Sequence, residues 1–441
     1  MEQTAAENKE LQERIDALKE RAERLVGTVK SQARRAYVVE ITGTPKAGKT
    51  SAIGMVESFF KTCGYRVQVL RERAELCPLP MKGHFFFNAW TTCTLIAEVL
   101  EHADRDHDLI LLDRGFFDAL VWLERQRTQG QVDEDEAKTF EAFALLERWR
   151  SLVDRTIILT VDPAVADRRE QVDRLVPRKG SLMNPAALAS FNAALERVER
   201  EHADKFTTER VDASRDDRKA VAAELVTRVL NGLEPWVDPE VVGLSAEDAR
   251  SILGDAEFTP WTEDLWSRLH PRLATRRRSD AERDNAWVQL VACGVLQRDD
   301  RYFVFRRTEK EKIQRYRGRS RLLWRGCHVE SAIELGAIEG LLRQRIQELL
   351  HVRRGFGASR PLGLAFTQGK NEGQHLGLFF SIPIENETLA DTLQEKEFKT
   401  LGRRARFDSR YLNRDALREV RGDLESWSAA FVDHLLAEAE R

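Results

Sequence analysis

The sequence predicts an α/β domain, with a parallel sheet covered by helices on both faces, followed by an α+β domain. The length of 441 residues suits two or three domains. Short apolar runs alternate with helical patterns from Tyr37 to about Leu230, which is typical of a parallel sheet. After about residue 262 the apolar runs become hairpin-like, as in Val288–Leu296 and Tyr302–Phe305 around an Asp-rich turn. These observations predict two domains of different architecture.

The first 35 residues predict an amphipathic helix. Apolar residues recur every three or four positions among charges, which is the spacing of one helix face. Such a helix either forms a coiled coil in a homodimer or packs on its own domain, and both alternatives remain open. The apolar positions are Leu11, Ile15, Leu18, Ala22, Leu25 and Val29.

The predicted elements divide the rest of the chain into three parts. We expect an α/β domain over residues 36–231, a linker over 232–262, which holds three of the twelve prolines, and an α+β domain over 263–441. In the first domain we expect strands at 37–41, 65–70, 108–113, 155–161 and 209–213, and helices at 50–62, 88–102, 116–127, 134–150 and up to about 230.

Composition narrows the class of protein. The chain has no apolar run near the roughly 20 residues that cross a bilayer, and its polar start does not resemble a signal peptide. Its five cysteines are scattered, as expected of reduced thiols. The formal net charge of −3 gives little attraction to nucleic acid. We therefore expect a cytoplasmic protein without a membrane or nucleic-acid partner.

A glycine-rich loop follows the first predicted strand. The pattern Gly43-x-x-x-x-Gly48-Lys49-Thr50 has the Walker A spacing, with a strand before it and a helix after it. Its backbone N–H groups would face phosphates, Lys49 would contact the β- and γ-phosphates, and Thr50 would contact Mg²⁺. A chance turn would lack that context. The predicted cofactors are ATP and Mg²⁺, held by Gly43, Thr44, Pro45, Lys46, Ala47, Gly48, Lys49, Thr50 and Ser51.

Two downstream groups predict phosphoryl transfer. Asp113 and Arg114 end the third strand, where an acid would hold Mg²⁺ and an arginine would reach a moving phosphoryl group; alternatively, Asp113 caps the next helix. Cations around Pro177 and Gly180 would form a lid over the phosphates, or else a solvated helix face. The lid cations are Arg168, Arg169, Arg174, Arg178 and Lys179.

The acceptor side is predicted from an aromatic segment and two acids. Phe87, Asn88 and Trp90 would stack a base and read its edge, although the phenylalanines of this segment suit a core equally well. Glu72 or Glu75 would accept a proton from a 5′-hydroxyl if the acceptor is a nucleoside. A nucleotide acceptor needs no such base.

Residues 36–231 resemble the thymidylate kinase and deoxynucleoside kinase group of P-loop kinases. The resemblance rests on the P-loop, on Asp113-Arg114-Gly115, on Arg71–Glu75 (which lacks the group's proline), on Thr160–Pro163 and on Val211–Ser214. It implies transfer of the γ-phosphoryl group of ATP to a nucleoside monophosphate, with a deoxypyrimidine nucleotide as the first expectation. The implied catalytic residues are Lys49, Asp113, Arg114, Arg168 and Arg174.

Residues 280–436 resemble the Nudix hydrolases of the MutT type. The resemblance rests on Gly326–Val329, on a helix that carries Arg343–Leu349, and on the flanking strands. Glutamine stands at 344 and 347, where the family has metal-binding glutamates, and an amide cannot supply their charge. Glu348 is left as a metal ligand, with Glu330, Glu334 and Glu339 as alternatives. We expect a degenerate module that binds a nucleotide or a partner.

Three other functions remain open. The chain could be a regulatory or defence-type protein that binds a nucleoside triphosphate without acting on a small acceptor. It could instead be a deoxynucleoside kinase, or a Nudix nucleotide diphosphatase with an accessory P-loop.

Overall fold

The chain folds into two compact units, Met1–Val237 and Asp238–Arg441. A computed structural model describes residues 2–33, 35–79, 83–103, 107–173, 184–214, 217–306, 321–330, 333–350, 352, 354–366, 375–386, 399–400, 403–404 and 408–439.

The first unit contains a five-stranded, all-parallel sheet in the order β2-β3-β1-β4-β5. This agrees with the α/β architecture that the alternation of apolar runs and helical patterns predicts, and it is consistent with a P-loop-like fold. The strands are β1 (Tyr37–Gly43), β2 (Val67–Leu70), β3 (Leu109–Asp113), β4 (Arg155–Thr160) and β5 (Thr208–Asp212). The helices are α1 (Glu2–Gln32), α2 (Lys49–Thr62), α3 (Phe85–Ala103), α4 (Phe116–Thr128), α5 (Glu134–Ala144), α6 (Glu147–Arg150), α7 (Pro163–Asp173), α8 (Pro185–Glu201) and α9 (Arg218–Val237).

Each face of this sheet is covered by helices. All seven residues of β1 are buried, because successive side chains point to opposite faces and both faces are packed. Tyr37, Val39 and Ile41 join the core beneath α1, α2 and α9. Val38 joins the core beneath α3, α4, α5 and α8.

The N-terminal helix belongs to the first unit. Its predicted apolar face is buried at Leu18, Ala22, Leu25 and Val29 and packs beside α9, which agrees with the alternative that it covers its own domain. Arg21 Nη1 also donates to Asn231 Oδ1 of α9, at 2.8 Å. The helix is therefore not a segment separate from the α/β unit. A homodimer through its remaining face stays a prediction.

The predicted linker over residues 232–262 differs from the structure. Its first six residues continue α9, which contains Pro235, and most of the rest form elements of the second unit. Val241, Val242 and Leu244 are buried there, because this short run pairs with a central strand of the second sheet. Prolines that suggested a joint thus lie inside or beside regular elements.

The second unit contains a mixed, ten-stranded sheet. The strands are β6 (Glu240–Ser245), β7 (Phe258–Pro260), β8 (Ala274–Arg277), β9 (Trp287–Arg298), β10 (Arg301–Arg306), β11 (Arg321–Leu322), β12 (Arg325–His328), β13 (Arg360–Phe366), β14 (His375–Pro383) and β17 (Asp408–Leu412), beside a separate pair, β15 (Lys399–Thr400) and β16 (Arg403–Arg404). The helices are α10 (Ala246–Leu253), α11 (Glu263–Leu269), α12 (Arg278–Arg283), α13 (Leu335–Leu350), α14 (Arg414–Val420) and α15 (Ser426–Ala439).

The pairing of β9 in this sheet agrees only in part with the predicted antiparallel hairpins. β9 and β10 pair antiparallel around the expected turn, whereas β14 runs parallel to β9 over nine residue pairs. A parallel pair needs a crossover connection, and the chain between these strands contains α13. Residues of α13 join the core on one face of the sheet, and residues of α15 join the core on the other.

Among the helices of the described residues, none is both long enough and apolar enough to cross a membrane.

Candidate phosphate-binding and acceptor site

The glycine-rich loop joins β1 to α2, as its spacing predicts. Gly43 has φ 130°, and a Cβ on it would lie 1.9 Å from the carbonyl oxygen of Leu159 in β4, so only glycine fits. The next residue donates its backbone N–H to the same oxygen at 2.9 Å. Gly48 has φ 83° at the N-cap of α2. The loop therefore leads directly into a helix N-terminus, which favours anion binding.

Lys49 curls back over this loop. Its side chain is buried at 7% exposure, and Nζ donates to the carbonyl oxygens of Gly43 and Thr44, each at 3.0 Å. Burial, with the nearby Arg114, lowers the pKa of Lys49 to about 7, against the pull of Asp118 and Asp113. Phosphate oxygens placed here would stabilise its charged form.

The rest of the loop contacts α7 and α8. Thr44 Oγ1 donates to Asn192 Oδ1 of α8 at 2.8 Å. Lys46 Nζ lies 2.8 Å from Glu170 of α7, whose side chain is largely buried. Ala47 is buried and Ser51 is exposed on α2. The loop is thus held by the two helices that flank the predicted lid in the sequence.

Thr50 and Asp113 meet at the end of β3. Thr50 Oγ1 donates to Asp113 Oδ2 at 3.0 Å, while Asp113 Oδ1 is buried without a hydrogen-bond partner among the described residues. Burial, reinforced by Glu72, raises the pKa of Asp113. A hydroxyl and a carboxylate oxygen are the donors that Mg²⁺ prefers, so these two residues fit the metal expected beside the phosphates. Asp113 is not the cap of α4, because Gly115 occupies that position.

The backbone of Arg114 lies in the left-handed region, with φ 67°. Its side chain is held by two carboxylates. Its Nη1 donates to Asp118 Oδ1 at 2.7 Å, and its Nε lies 2.9 Å from Glu72 Oε1. Burial alone would lower the pKa of Arg114, but Asp118, Glu72 and Asp113 together raise it. The guanidinium is therefore a fixed positive charge.

Two buried acids near Arg114 were not predicted from the sequence. Glu40 in β1 accepts hydrogen bonds from the backbone N–H groups of Phe117, at 3.1 Å, and Asp118, at 2.9 Å, at the start of α4. Burial raises the pKa of Glu40 to about 8. Asp118 Oδ1 also accepts from Thr42 Oγ1 at 2.6 Å. Asp118 lies in the first turn of α4, and Arg114 precedes that helix, so their contact depends on the turn between them.

A cavity of about 580 Å³ opens beside Arg114. Its lining includes Pro45 of the loop, Asp113 and Arg114, together with the aromatic residues Phe87 and Trp122. Its volume suits a small-molecule site of nucleoside size.

The predicted acceptor residues are divided by the structure. Phe87, Asn88 and Glu72 line the cavity, whereas Trp90 is not among the described residues that do. Asn88 is buried and donates Nδ2 to the carbonyl oxygen of Ala119 at 3.0 Å. Phe85, which neighbours this set, packs against Phe140 in the core.

The structure describes two of the five predicted lid cations, Arg168 and Arg169. Arg168 is exposed on α7. Arg169 Nη1 reaches the carbonyl oxygen of Lys46 at 3.4 Å. Arg174 and the side chain of Glu75 lie outside the described residues.

The predicted Nudix helix in the second unit is α13, and its charged side chains bond locally. Glu348 is contacted by Gln344 Nε2 at 3.0 Å and by Arg345 Nη1 at 3.1 Å. Arg343 Nη2 donates to the carbonyl oxygen of Phe356 at 2.8 Å, and Ser359 Oγ bonds to Glu339. Throughout the described ranges, no three His, Cys, Asp or Glu residues form a group that could hold a metal. Glu348 as a metal ligand finds no support in these contacts.

Comparison with known proteins gives likenesses of structure. No protein-family description matches the chain, and no curated protein matches it in sequence. Tm1382, a candidate Nudix hydrolase, matches with TM-score 0.35 and 19% identity, over 45% of this chain and 98% of that one. Deoxyadenosine kinase from M. mycoides with bound dATP matches with TM-score 0.35 and 19% identity, over 44% and 99%. Each of these matches spans less than half of this chain.

Proposed function

We propose that the first unit transfers the γ-phosphoryl group of ATP to a nucleoside monophosphate. One observation carries this proposal: a single cavity connects Pro45 of the phosphate-binding loop and the Asp113–Arg114 pair with the rings of Phe87 and Trp122. A donor phosphate site and a ring-lined acceptor site that share a cavity suit direct transfer between two nucleotides.

The donor side of the proposal rests on the loop and the end of β3. The loop N–H groups and Lys49 would bind the phosphates of ATP, and Thr50 with Asp113 would hold Mg²⁺. When bound, Mg²⁺ supplies positive charge that offsets the charge of the β- and γ-phosphates.

The transfer step needs little proton chemistry. A phosphate oxygen of the acceptor attacks the γ-phosphorus, the bond to the β-phosphate oxygen breaks, and ADP leaves with the electron pair. Arg114, fixed by Asp118 and Glu72, would stabilise the charge on the moving phosphoryl group. An acceptor phosphate is already ionised, so no strong base is required.

A nucleoside acceptor is the second candidate, and Glu72 favours it. Its carboxylate lines the cavity 2.9 Å from Arg114, where it could accept the proton of a 5′-hydroxyl. Under this alternative Glu72→Gln would lower nucleoside phosphorylation on the order of 100-fold. Nucleotide phosphorylation would fall less, because it would lose only the charged contact of Glu72 with Arg114.

For the second unit we propose nucleotide or partner binding rather than hydrolysis. The amides of Gln344 and Gln347 and the local pairing of Glu348 support this reading.

The test is an acceptor screen on the whole chain. Nucleosides and nucleoside monophosphates are incubated with ATP and Mg²⁺, products are identified by mass spectrometry, and Lys49→Ala is the blank. We expect ADP and one phosphorylated acceptor class from the wild type only. ATP binding without any phosphorylated acceptor would reject the kinase proposal in favour of a regulatory nucleotide-binding protein.

A further inference from the structure

The cavity beside the phosphate-binding loop is uneven in charge. Two of its arginines have acidic partners, since Arg114 contacts Glu72 and Asp118, and Arg73 pairs with Glu98. Arg125 also lines the cavity, yet no carboxylate of the described residues pairs with it. A buried guanidinium stays charged and is costly without an anionic partner.

The contacts of Arg125 among the described residues are with neutral groups. Its side chain is 5% exposed, and Nη1 donates weakly to Ala187 O, at 3.2 Å, and Ser190 Oγ, at 3.3 Å, both from α8. The guanidinium carbon lies 5.7 Å from the ring centre of Trp122 and 5.6 Å from that of Phe191. Nε is buried with no hydrogen-bond partner among the described residues. The group therefore has donor capacity left for a ligand.

The position of Arg125 indicates that it would contact the part of the acceptor that lies farthest from the phosphates. Arg125 lies nine residues after Phe116, the first residue of α4, which is about 14 Å along the helix at the usual rise. The same cavity is also lined by Phe87, Asn88 and Gln126. The amide nitrogens of Asn88 and Gln126 already donate to backbone oxygens, of Ala119 at 3.0 Å and Gly83 at 3.2 Å. Arg125 is a charged donor whose Nε has no hydrogen-bond partner among the described residues, so it can donate to an acceptor oxygen.

We propose that Arg125 determines specificity by donating to an exocyclic carbonyl oxygen on the base of the acceptor. The inference rests on the proposed function and deepens it. Thymine, uracil, cytosine and guanine carry such an oxygen, whereas adenine presents an amino group and ring nitrogens. An amino group against a guanidinium leaves donor facing donor, so adenine is disfavoured as the acceptor base. ATP remains the donor, because its phosphates bind at the loop and not beside Arg125.

The test compares Arg125→Met with Arg127→Met. Methionine retains an unbranched apolar stem against Trp122. Arg127 is a half-buried residue of the same helix, 2.8 Å from Glu124, and is not among the described residues that line the cavity. Values of kcat/KM are measured with ATP for dAMP, dCMP, dGMP and dTMP and for the four deoxynucleosides. For the wild type we expect kcat/KM for dAMP to be at least tenfold lower than for the best oxygen-bearing acceptor.

Arg125→Met should lower kcat/KM for the oxygen-bearing acceptors about 10- to 100-fold, mainly through KM, and should leave adenine acceptors unchanged. Arg127→Met should resemble the wild type.

Three results would overturn the inference. They are equal use of adenine acceptors by the wild type, an equal loss on all bases in Arg125→Met, and a loss that depends on the acceptor phosphate rather than on the base.

If Arg125→Met does not fold, Arg125→Lys is measured instead. Lysine keeps the charge but loses the planar fork, so it should reduce the same ratio between bases. If the wild type phosphorylates none of the eight compounds, the proposed function fails separately. Calorimetric binding of the same compounds to wild type and variant then decides the inference, which a lack of preference for oxygen-bearing bases would refute.

Discussion

The sequence predicts charged groups that bind a nucleotide in both units. In the first unit they lie between the end of β3 and the start of α4, and in the second they lie on α13. Asp113, Arg114 and Asp118 of the first unit all line one cavity. On α13, Glu348 bonds to Gln344 and Arg345 of its own helix. Charged side chains can thus support either a shared cavity or the local structure. The first arrangement is the one that suits chemistry, because several groups must reach the same ligand atoms.

The largest expected effect comes from removing one acid in each unit. Asp113→Asn replaces a buried carboxylate that we assign to the metal, so phosphoryl transfer should fall on the order of 100- to 1,000-fold. Glu348→Gln should leave the same rate unchanged. Both variants are assayed with the acceptor found in the screen. A large loss in Glu348→Gln would show that α13 contributes to the reaction after all.

A smaller effect is expected at Asp118, which we regard as a positioning residue for Arg114. Asp118→Asn keeps the size of the side chain but removes the charge that fixes the guanidinium 2.7 Å away. We expect kcat to fall about 10- to 100-fold with little change in the KM for ATP. Asp133→Asn, at the exposed cap of α5, is the control. If kcat of Asp118→Asn is normal, Arg114 is held by Glu72 alone.

The last prediction concerns pH, which acts on the stability of the fold rather than on the reaction and again distinguishes the two units. Burial raises the pKa of Glu40 from 4.5 to about 8, so the folded first unit binds this proton more tightly than the unfolded chain does. Its contribution to stability is therefore full below about pH 4.5 and is lost as pH rises through about 8, on the order of a few kcal/mol. In the second unit the shifted carboxyl groups Asp248 and Asp284 have lowered pKa values, because of hydrogen bonds from Ser245 and Ala286.

Hydrogen exchange resolved by peptide can measure this difference. Between pH 5.5 and 8.5, after correction for the intrinsic exchange rate, β1 should lose protection with rising pH and β9 should not. Glu40→Gln should flatten the pH dependence in β1, whatever its absolute stability. An unchanged slope in Glu40→Gln would assign the effect to another group.

The sequence predicted those features that depend on neighbours in the chain. The loop from Gly43 to Thr50 and the parallel strands follow from local spacing and apolar runs, and both are where they were expected. The roles of Glu40 and Arg125 could not be predicted, because they depend on which helix faces β1 and which residues of α8 cover the cavity. The linker was wrong for the same reason, since β6 is a strand because it pairs with β9, far along the chain.

The helix α8 touches both substrates' sites in the proposed reaction. Asn192 accepts a hydrogen bond from Thr44 in the phosphate-binding loop, and Ala187 and Ser190 accept from Arg125 at the other part of the cavity. A shift of this helix that released one contact would strain the other. We therefore expect the departure of ADP and the departure of the phosphorylated acceptor to be linked in time, so that turnover would be governed by one shared opening rather than by two independent ones.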